Sequence, residues 1–202
     1  MQMKILKILN LTLPFLFWFF MIFAFDSVSL GIMTLLAAAI HELGHIFFGI
    51  SEGRLSLISH PSGFRIKRSG IASYTKEIFF ILGGAIFNTG AAIILFILSA
   101  HIDRGDYFSL LATVNLFTAA SNLLPISGYD GYRFLSTIIS SGCKNERRAH
   151  EALECVSFSL STVLLFLALF FILKTGEGYW IFAVLFVPFI LWLRKLSDSG
   201  NF

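Results

Sequence analysis

The sequence predicts an all-α membrane protein with six transmembrane helices and a small cytoplasmic-side β-hairpin between the second and the third. The first observation behind this prediction is composition, since 56% of the 202 residues are hydrophobic and only 13% are charged. Soluble domains are about 25% charged. The second is a mean hydropathy of +0.82. The third is that the apolar residues form six runs, which approach or reach the roughly 20 residues that a bilayer crossing needs.

The six predicted spans are separated by short polar segments and take up most of the chain. The first contains Pro14, which a transmembrane helix tolerates when neighbouring helices satisfy the freed carbonyl. The fourth is expected to end at Pro125, because proline lacks the N–H that a continuing helix needs. The spans are predicted near residues 5–25, 28–50, 77–100, 107–124, 152–173 and 178–195. Residues 1–202 are therefore expected to form a single membrane-embedded domain.

Residues 51–76 differ from the spans, because apolar and polar residues alternate there on both sides of Pro61-Ser62-Gly63. This pattern is typical of a β-hairpin, here at the membrane surface. The alternative is an ordinary basic loop. If the hairpin forms, its edge could pair with an extended substrate by strand addition.

The positions of the basic residues predict the orientation in the membrane. With six spans the two termini share a side, and all lysines and arginines except Arg104 and Lys174 fall on that side. The positive-inside rule places this side in the cytoplasm. Both termini, the hairpin and the mouth of the site described next are therefore expected to be cytoplasmic. The net charge of +3 comes from these loops, so we expect no nucleic-acid partner.

The motif HELGH at residues 41–45 lies in the second predicted span. Residues four apart in a helix lie about 40° apart around its axis, so His41 and His45 point the same way and could hold one metal ion. HExxH is the zincin signature, in which two imidazoles bind Zn²⁺ and the carboxylate, here Glu42, acts as the base. The alternative is that His41 and Glu42 only pair as buried polar groups. Placing ionisable groups inside a membrane costs free energy, which favours a metal-binding role over this alternative.

A catalytic zinc generally has three protein ligands and one open position. Asp130, in the segment ISGYDG, is the candidate third ligand, because it is the acidic residue besides Glu42 that is expected at the depth of the metal. The alternative is a turn role for Asp130 before Gly131. The remaining histidines and the other acidic residues that were considered lie in loops or at span ends: His60, His101, His150, Glu77, Glu151 and Glu154.

Two asparagines inside predicted spans are further candidates for the site. Asn88 lies in the third span and Asn122 near the end of the fourth. An amide there could donate a hydrogen bond to a substrate backbone or to an oxyanion. Either amide could instead bridge two helices. Cys143 and Cys155 form neither a CxxC pair nor a dense framework, so we expect reduced thiols.

Three segments together resemble the site-2 protease family of intramembrane zinc metallopeptidases: HELGH at 41–45, GGAIFN at 83–88 and NLLPISGYDG at 122–131. Their order and the six-span topology are also similar to that family, so the resemblance covers nearly the whole chain. The compact form, without a PDZ or CBS domain, is most similar to the small bacterial members. The chain departs from the family pattern at Tyr132, where a second glycine usually follows the aspartate.

The resemblance implies that His41, His45 and Asp130 bind Zn²⁺ and that Glu42 is the catalytic base. The expected activity is zinc-dependent cleavage of transmembrane segments of membrane proteins in the cell membrane. The expected partners are a membrane-spanning protein substrate and the lipid bilayer. A membrane regulator or a second copy of the chain is also compatible with the resemblance. The alternatives are a membrane zinc hydrolase of lipid amides and an inactive scaffold with a vestigial site. A transporter ranks last, because no two-half repeat is visible.

Overall fold

The computed structural model describes residues 28–49, 73–102 and 105–176, together with the backbone of 54–60 and 63–69. These ranges contain five helices and two strands. In chain order they are α1 (Val28–Gly49), β1 (Arg54–His60), β2 (Gly63–Ser69), α2 (Tyr74–Ser99), α3 (Gly105–Asn122), α4 (Asp130–Gly142) and α5 (Glu146–Thr175).

Three of these helices, α1, α2 and α5, are long and apolar enough to cross a membrane. They correspond to the second, third and fifth predicted spans. Large apolar side chains on their outer faces are exposed, including Phe166 and Leu173. Such a surface suits contact with lipid and not with water. The chain is a membrane protein.

The other three predicted spans are not established by the structure. The fourth corresponds to α3, which has 18 residues and contains several asparagines, serines and threonines. It is not among the three helices that are apolar enough to span by composition. The first and sixth predicted spans lie outside the described residues. The count of six therefore stays a prediction.

The strands β1 and β2 pair antiparallel, with Arg54 opposite Ser69 and His60 opposite Gly63. The segment between them, residues 61 and 62, lies outside the described residues. A closed hairpin on the cytoplasmic surface therefore stays a prediction. β2 also lies close to α1, the helix that carries the HELGH motif.

Helices α1, α2 and α3 pack against one another through small residues. Ala37 and Ala112 are fully buried. A Cβ atom added to Gly83 would lie 2.6 Å from the carbonyl oxygen of Gly44, so the backbones of α1 and α2 touch at this point. Small residues allow such close approach between membrane helices. The contact fixes the position of the HELGH turn against α2.

The segment after Pro125 contains a helix that the sequence did not predict. The irregular backbone ends at Tyr129, and Asp130 is the first residue of α4. The fifth predicted span also begins earlier than expected, at Glu146, where the side chain of Asn145 caps the helix by accepting from the N–H of Arg148. The charged residues from Glu146 to Glu151, which lie between the fourth and fifth predicted spans, are thus helical.

Candidate metal centre

The structure brings together the side chains of His41, His45 and Asp130. The Nε2 atom of His41 lies 2.9 Å from Oδ2 of Asp130, and Nε2 of His45 lies 3.1 Å from the same oxygen. The two Nε2 atoms are 3.2 Å apart. All three residues are buried, with exposures of 5 to 6%. Residues far apart in sequence thus converge on one point inside the protein.

The orientation of His45 is set by α2. Its Nδ1 atom lies 2.8 Å from the backbone carbonyl oxygen of Phe80. A carbonyl can only accept, so Nδ1 carries the proton and donates it. In the neutral imidazole, Nε2 then presents a lone pair toward Asp130. This is the arrangement by which metal-binding histidines are usually held.

The orientation of His41 depends on the absence of a side chain at Gly84. A Cβ atom added there would lie 2.5 Å from Nε2 and 2.6 Å from Nδ1 of His41. Both are far inside the roughly 3.5 to 4.0 Å of an ordinary contact. Gly84 therefore leaves the space that the His41 ring occupies, which gives this glycine of the GGAIFN segment a specific role.

Asp130 is delivered by the irregular segment that joins α3 to α4. Gly128 adopts a φ of 101°, which non-glycine residues rarely adopt. The backbone N–H of Ser127 donates to Oγ of Ser157, a buried residue of α5, at 2.7 Å. At Gly131 an added Cβ atom would collide with the carbonyl oxygens of Leu123 and Leu124. The backbone around Asp130 is therefore closely constrained on both sides.

Asp130 lies outside the three apolar helices. Burial alone would raise the pKa of its carboxyl group, but the hydrogen bonds of His41 and His45 and the charges of these imidazoles when protonated outweigh burial and hold that pKa below its ordinary value. A lowered pKa favours the ionised carboxylate, which is the form that binds a metal.

These residues fit a metal ion. Each offers one ligand atom, and the three ligand atoms lie within 4.8 Å of one another. The lone pair of His45 and the carboxylate oxygen face each other at 3.1 Å, an arrangement that requires a proton or a cation between them. Two imidazoles and one carboxylate are a donor set of catalytic zinc sites, which keep a further position open.

The other predicted site residues occupy different positions. Glu42 is half-buried on α1, directly after His41. Asn88 is fully buried and donates from Nδ2 to the carbonyl oxygen of Ala37 at 3.1 Å, so it links α2 to α1. Asn122 donates to the carbonyl oxygen of Thr118 within its own helix, at 3.0 Å.

Three contacts of the site have no counterpart in the sequence prediction. They are the carbonyl group of Phe80, the hydroxyl group of Ser157 and the side chain of Arg133, whose Nη1 atom lies 3.3 Å from Oδ1 of Asp130. A backbone carbonyl leaves no mark in a sequence, and neither does a serine contact 30 residues away. Arg133 follows Asp130 by three residues, which becomes informative only once the segment is known to be helical.

No protein-family model and no curated protein matches this sequence. Among solved structures, the chain is similar to the site-2 protease from Methanocaldococcus jannaschii. The TM-score is 0.65 at 20% sequence identity, and the match covers 92% of this chain and 87% of that one. The chain has the fold of a site-2 protease. The group of His41, His45 and Asp130 could hold a metal ion in that fold.

Proposed function

We propose that this chain is an intramembrane zinc metalloendopeptidase that cleaves membrane-spanning segments of other proteins. The observation that carries the proposal is the convergence of His41, His45 and Asp130 on one buried point. The fold, which is similar to that of a site-2 protease, supports it. Two imidazoles with one carboxylate suit Zn²⁺ better than the harder cations, which prefer oxygen ligands alone.

The proposal extends to the placement of the chain in the membrane. It includes six spans, with both termini and the mouth of the site in the cytoplasm, as the distribution of lysine and arginine favours. A site near the cytoplasmic face would give water access to a centre that is otherwise surrounded by lipid. The strands β1 and β2 are the candidate surface on which an unwound substrate segment adds as a strand.

A zinc ion at this site would activate water and polarise the scissile carbonyl group. Glu42 is the proposed general base. It accepts a proton from the attacking water as the new C–O bond forms, and it gives a proton to the leaving amine nitrogen as the C–N bond breaks. The carboxylate thus returns to its starting state after each cleavage. His41, His45 and Asp130 hold the metal and are not consumed or protonated in the cycle.

The two asparagines differ in their suitability for contacting a substrate. Asn88 already links two helices through the carbonyl oxygen of Ala37, so we assign it to helix packing. Asn122 lies at the end of α3, next to the segment that delivers Asp130. Its amide has two N–H groups, and one of them donates to Thr118. The other N–H is the candidate donor to the substrate backbone or oxyanion.

The test is the substitution Glu42→Gln, which removes the base and keeps the shape of the side chain. Loss of a general base lowers the rate by about 10²- to 10⁴-fold, while zinc content is expected to stay at the wild-type level. The matched control is Glu151→Gln, which changes an exposed glutamate that pairs with Arg147 on α5. The readout is release of a cytoplasmic fragment from co-expressed single-span proteins.

Two results would contradict the proposal. Wild-type cleavage by Glu42→Gln would remove the proposed base. Purified protein that hydrolyses lipid amides and leaves membrane-spanning peptides intact would identify a different substrate class.

A further inference from the structure

The two carboxylate oxygens of Asp130 have different neighbours. Oδ2 faces Nε2 of both His41 and His45, at 2.9 and 3.1 Å. Oδ1 faces Nη1 of Arg133, at 3.3 Å. One oxygen of the carboxylate thus faces the two histidines, and the other faces a guanidinium group.

Nothing in the aspartate side chain itself selects this arrangement. The terminal torsion of aspartate is broad and roughly two-fold, so the two oxygens exchange at little cost in an isolated side chain. The contact with Arg133 breaks this equivalence, because it holds one oxygen away from the histidines. A carboxylate held in this way offers a single oxygen to a metal ion.

Arg133 is itself held in place by α2. Its Nη2 atom lies 3.9 Å from Oε1 of Glu77, in the first turn of that helix. Its guanidinium carbon lies 5.8 Å from the centre of the Phe80 ring, within the range of a cation–π contact. Phe80 is also the residue whose carbonyl oxygen accepts from His45. Arg133 and His45 are therefore oriented by the same residue of α2.

We propose that Arg133 is a positioning residue, which fixes the oxygen of Asp130 that faces the metal and connects this ligand to the part of α2 that orients His45. The inference rests on the proposed function, because it takes Asp130 as a metal ligand. Arg133 acts through Asp130 and does not itself contact the metal. Partners that orient metal ligands typically contribute 10- to 100-fold in metal affinity.

The experiment measures metal binding to the purified full chain in detergent, with Zn²⁺ by competition with a chelator and with Co²⁺ by its visible absorption. Arg133→Met keeps the apolar stem but has no donor. We expect it to bind zinc about 10- to 100-fold more weakly than wild type, with an altered cobalt spectrum because the carboxylate can turn. Arg133→Lys keeps a charged donor and is expected to recover part of the affinity.

Arg147→Gln is the matched control. Its side chain is 90% exposed and pairs with Glu151 on the surface of α5, so wild-type affinity and spectrum are expected. If Arg133→Met does not fold, as judged by circular dichroism, Arg133→Ala takes its place in the same comparison. Wild-type affinity together with the wild-type cobalt spectrum in either folded variant would overturn the positioning role.

A further variant, Asp130→Asn, separates this inference from the proposed function. If wild type binds no metal, or if Asp130→Asn binds it as tightly as wild type, then the ligand set is wrong and both proposals fall. If Asp130→Asn loses the metal and folded Arg133→Met does not weaken it, then only the role of Arg133 is wrong.

Discussion

The contact between Gly84 and His41 gives a sharp prediction for the substitution Gly84→Ala. The added methyl carbon would lie about 2.5 Å from the Nε2 atom that is proposed to bind the metal. An ordinary contact needs about 3.5 Å, so the imidazole ring has to move by about 1 Å. Misplacing a reacting group by this distance costs on the order of 10²-fold in rate, which corresponds to about 2.7 kcal/mol of activation free energy.

Helix α2 offers a matched control for this substitution. Gly90 lies in the same helix, and a Cβ atom added there meets nothing within 4 Å. Gly90→Ala is therefore expected to keep wild-type activity, and its helix gains up to about 1 kcal/mol because alanine is the better helix former. Any effect of Gly84→Ala beyond that of Gly90→Ala then comes from the lost space and not from helix propensity.

The assay compares both variants with wild type for cleavage of a single-span substrate, for zinc affinity and for thermal unfolding in detergent. Overpacking is expected to destabilise Gly84→Ala by about 1 to 3 kcal/mol, and its zinc affinity is expected to fall together with the rate. Equal activity and equal zinc affinity in the two alanine variants would refute the reasoning, because the His41 ring would then have room that the structure does not give it.

Two further predictions concern the segment that delivers Asp130. Gly131→Ala places a methyl group against backbone carbonyl oxygens that cannot move aside, so we expect this variant to lose zinc binding. The control is Gly142→Ala on the same helix, where the added methyl group meets nothing within 4 Å. This control should bind zinc as wild type does. Ser157→Ala leaves a backbone N–H without its acceptor, which costs about 1 to 3 kcal/mol of unfolding free energy. Ser161→Ala, one turn later, removes only a donor to a carbonyl oxygen of its own helix. Such a bond adds little to helix stability, so this variant should lose less unfolding free energy than Ser157→Ala. Denaturation in detergent checks the serine pair, and equal losses in both would contradict the anchoring role of Ser157.

The relative position of His41 and His45 could be predicted from the sequence, because it follows from helical periodicity alone. His41 and His45 are one turn apart in any helix, and an apolar run of this length is helical in a membrane. The alternation in residues 51–76 predicts strands for a similar reason, and the hairpin itself stays a prediction. Such predictions need no knowledge of which segments meet in the folded chain.

The contacts between the histidines and distant parts of the chain could be predicted only in outline. Asp130 was selected by its expected depth and by the family resemblance, and neither argument gives a distance to His45. Helix α4 was missed because Pro125, Gly128 and the Asp-Gly pair are typical of irregular backbone, although they only precede the helix. The carbonyl group of Phe80 is a backbone atom, so no residue type indicates it. The start of α5 at Glu146 was missed because its charged residues are equally typical of a loop.

The proposed ligands come from two helices, and 89 positions along the chain separate His41 from Asp130. This has a consequence for how unfolding is measured. An unfolded chain would not keep Asp130 near His45, so zinc would bind almost exclusively to the native state. A ligand present at 100 times its Kd then adds about 2.7 kcal/mol to the free energy of unfolding by mass action. Variants that differ in zinc affinity would thus differ in melting temperature even with identical packing. Their intrinsic stabilities become comparable when the free zinc concentration is buffered, or when all of them are measured as apoprotein.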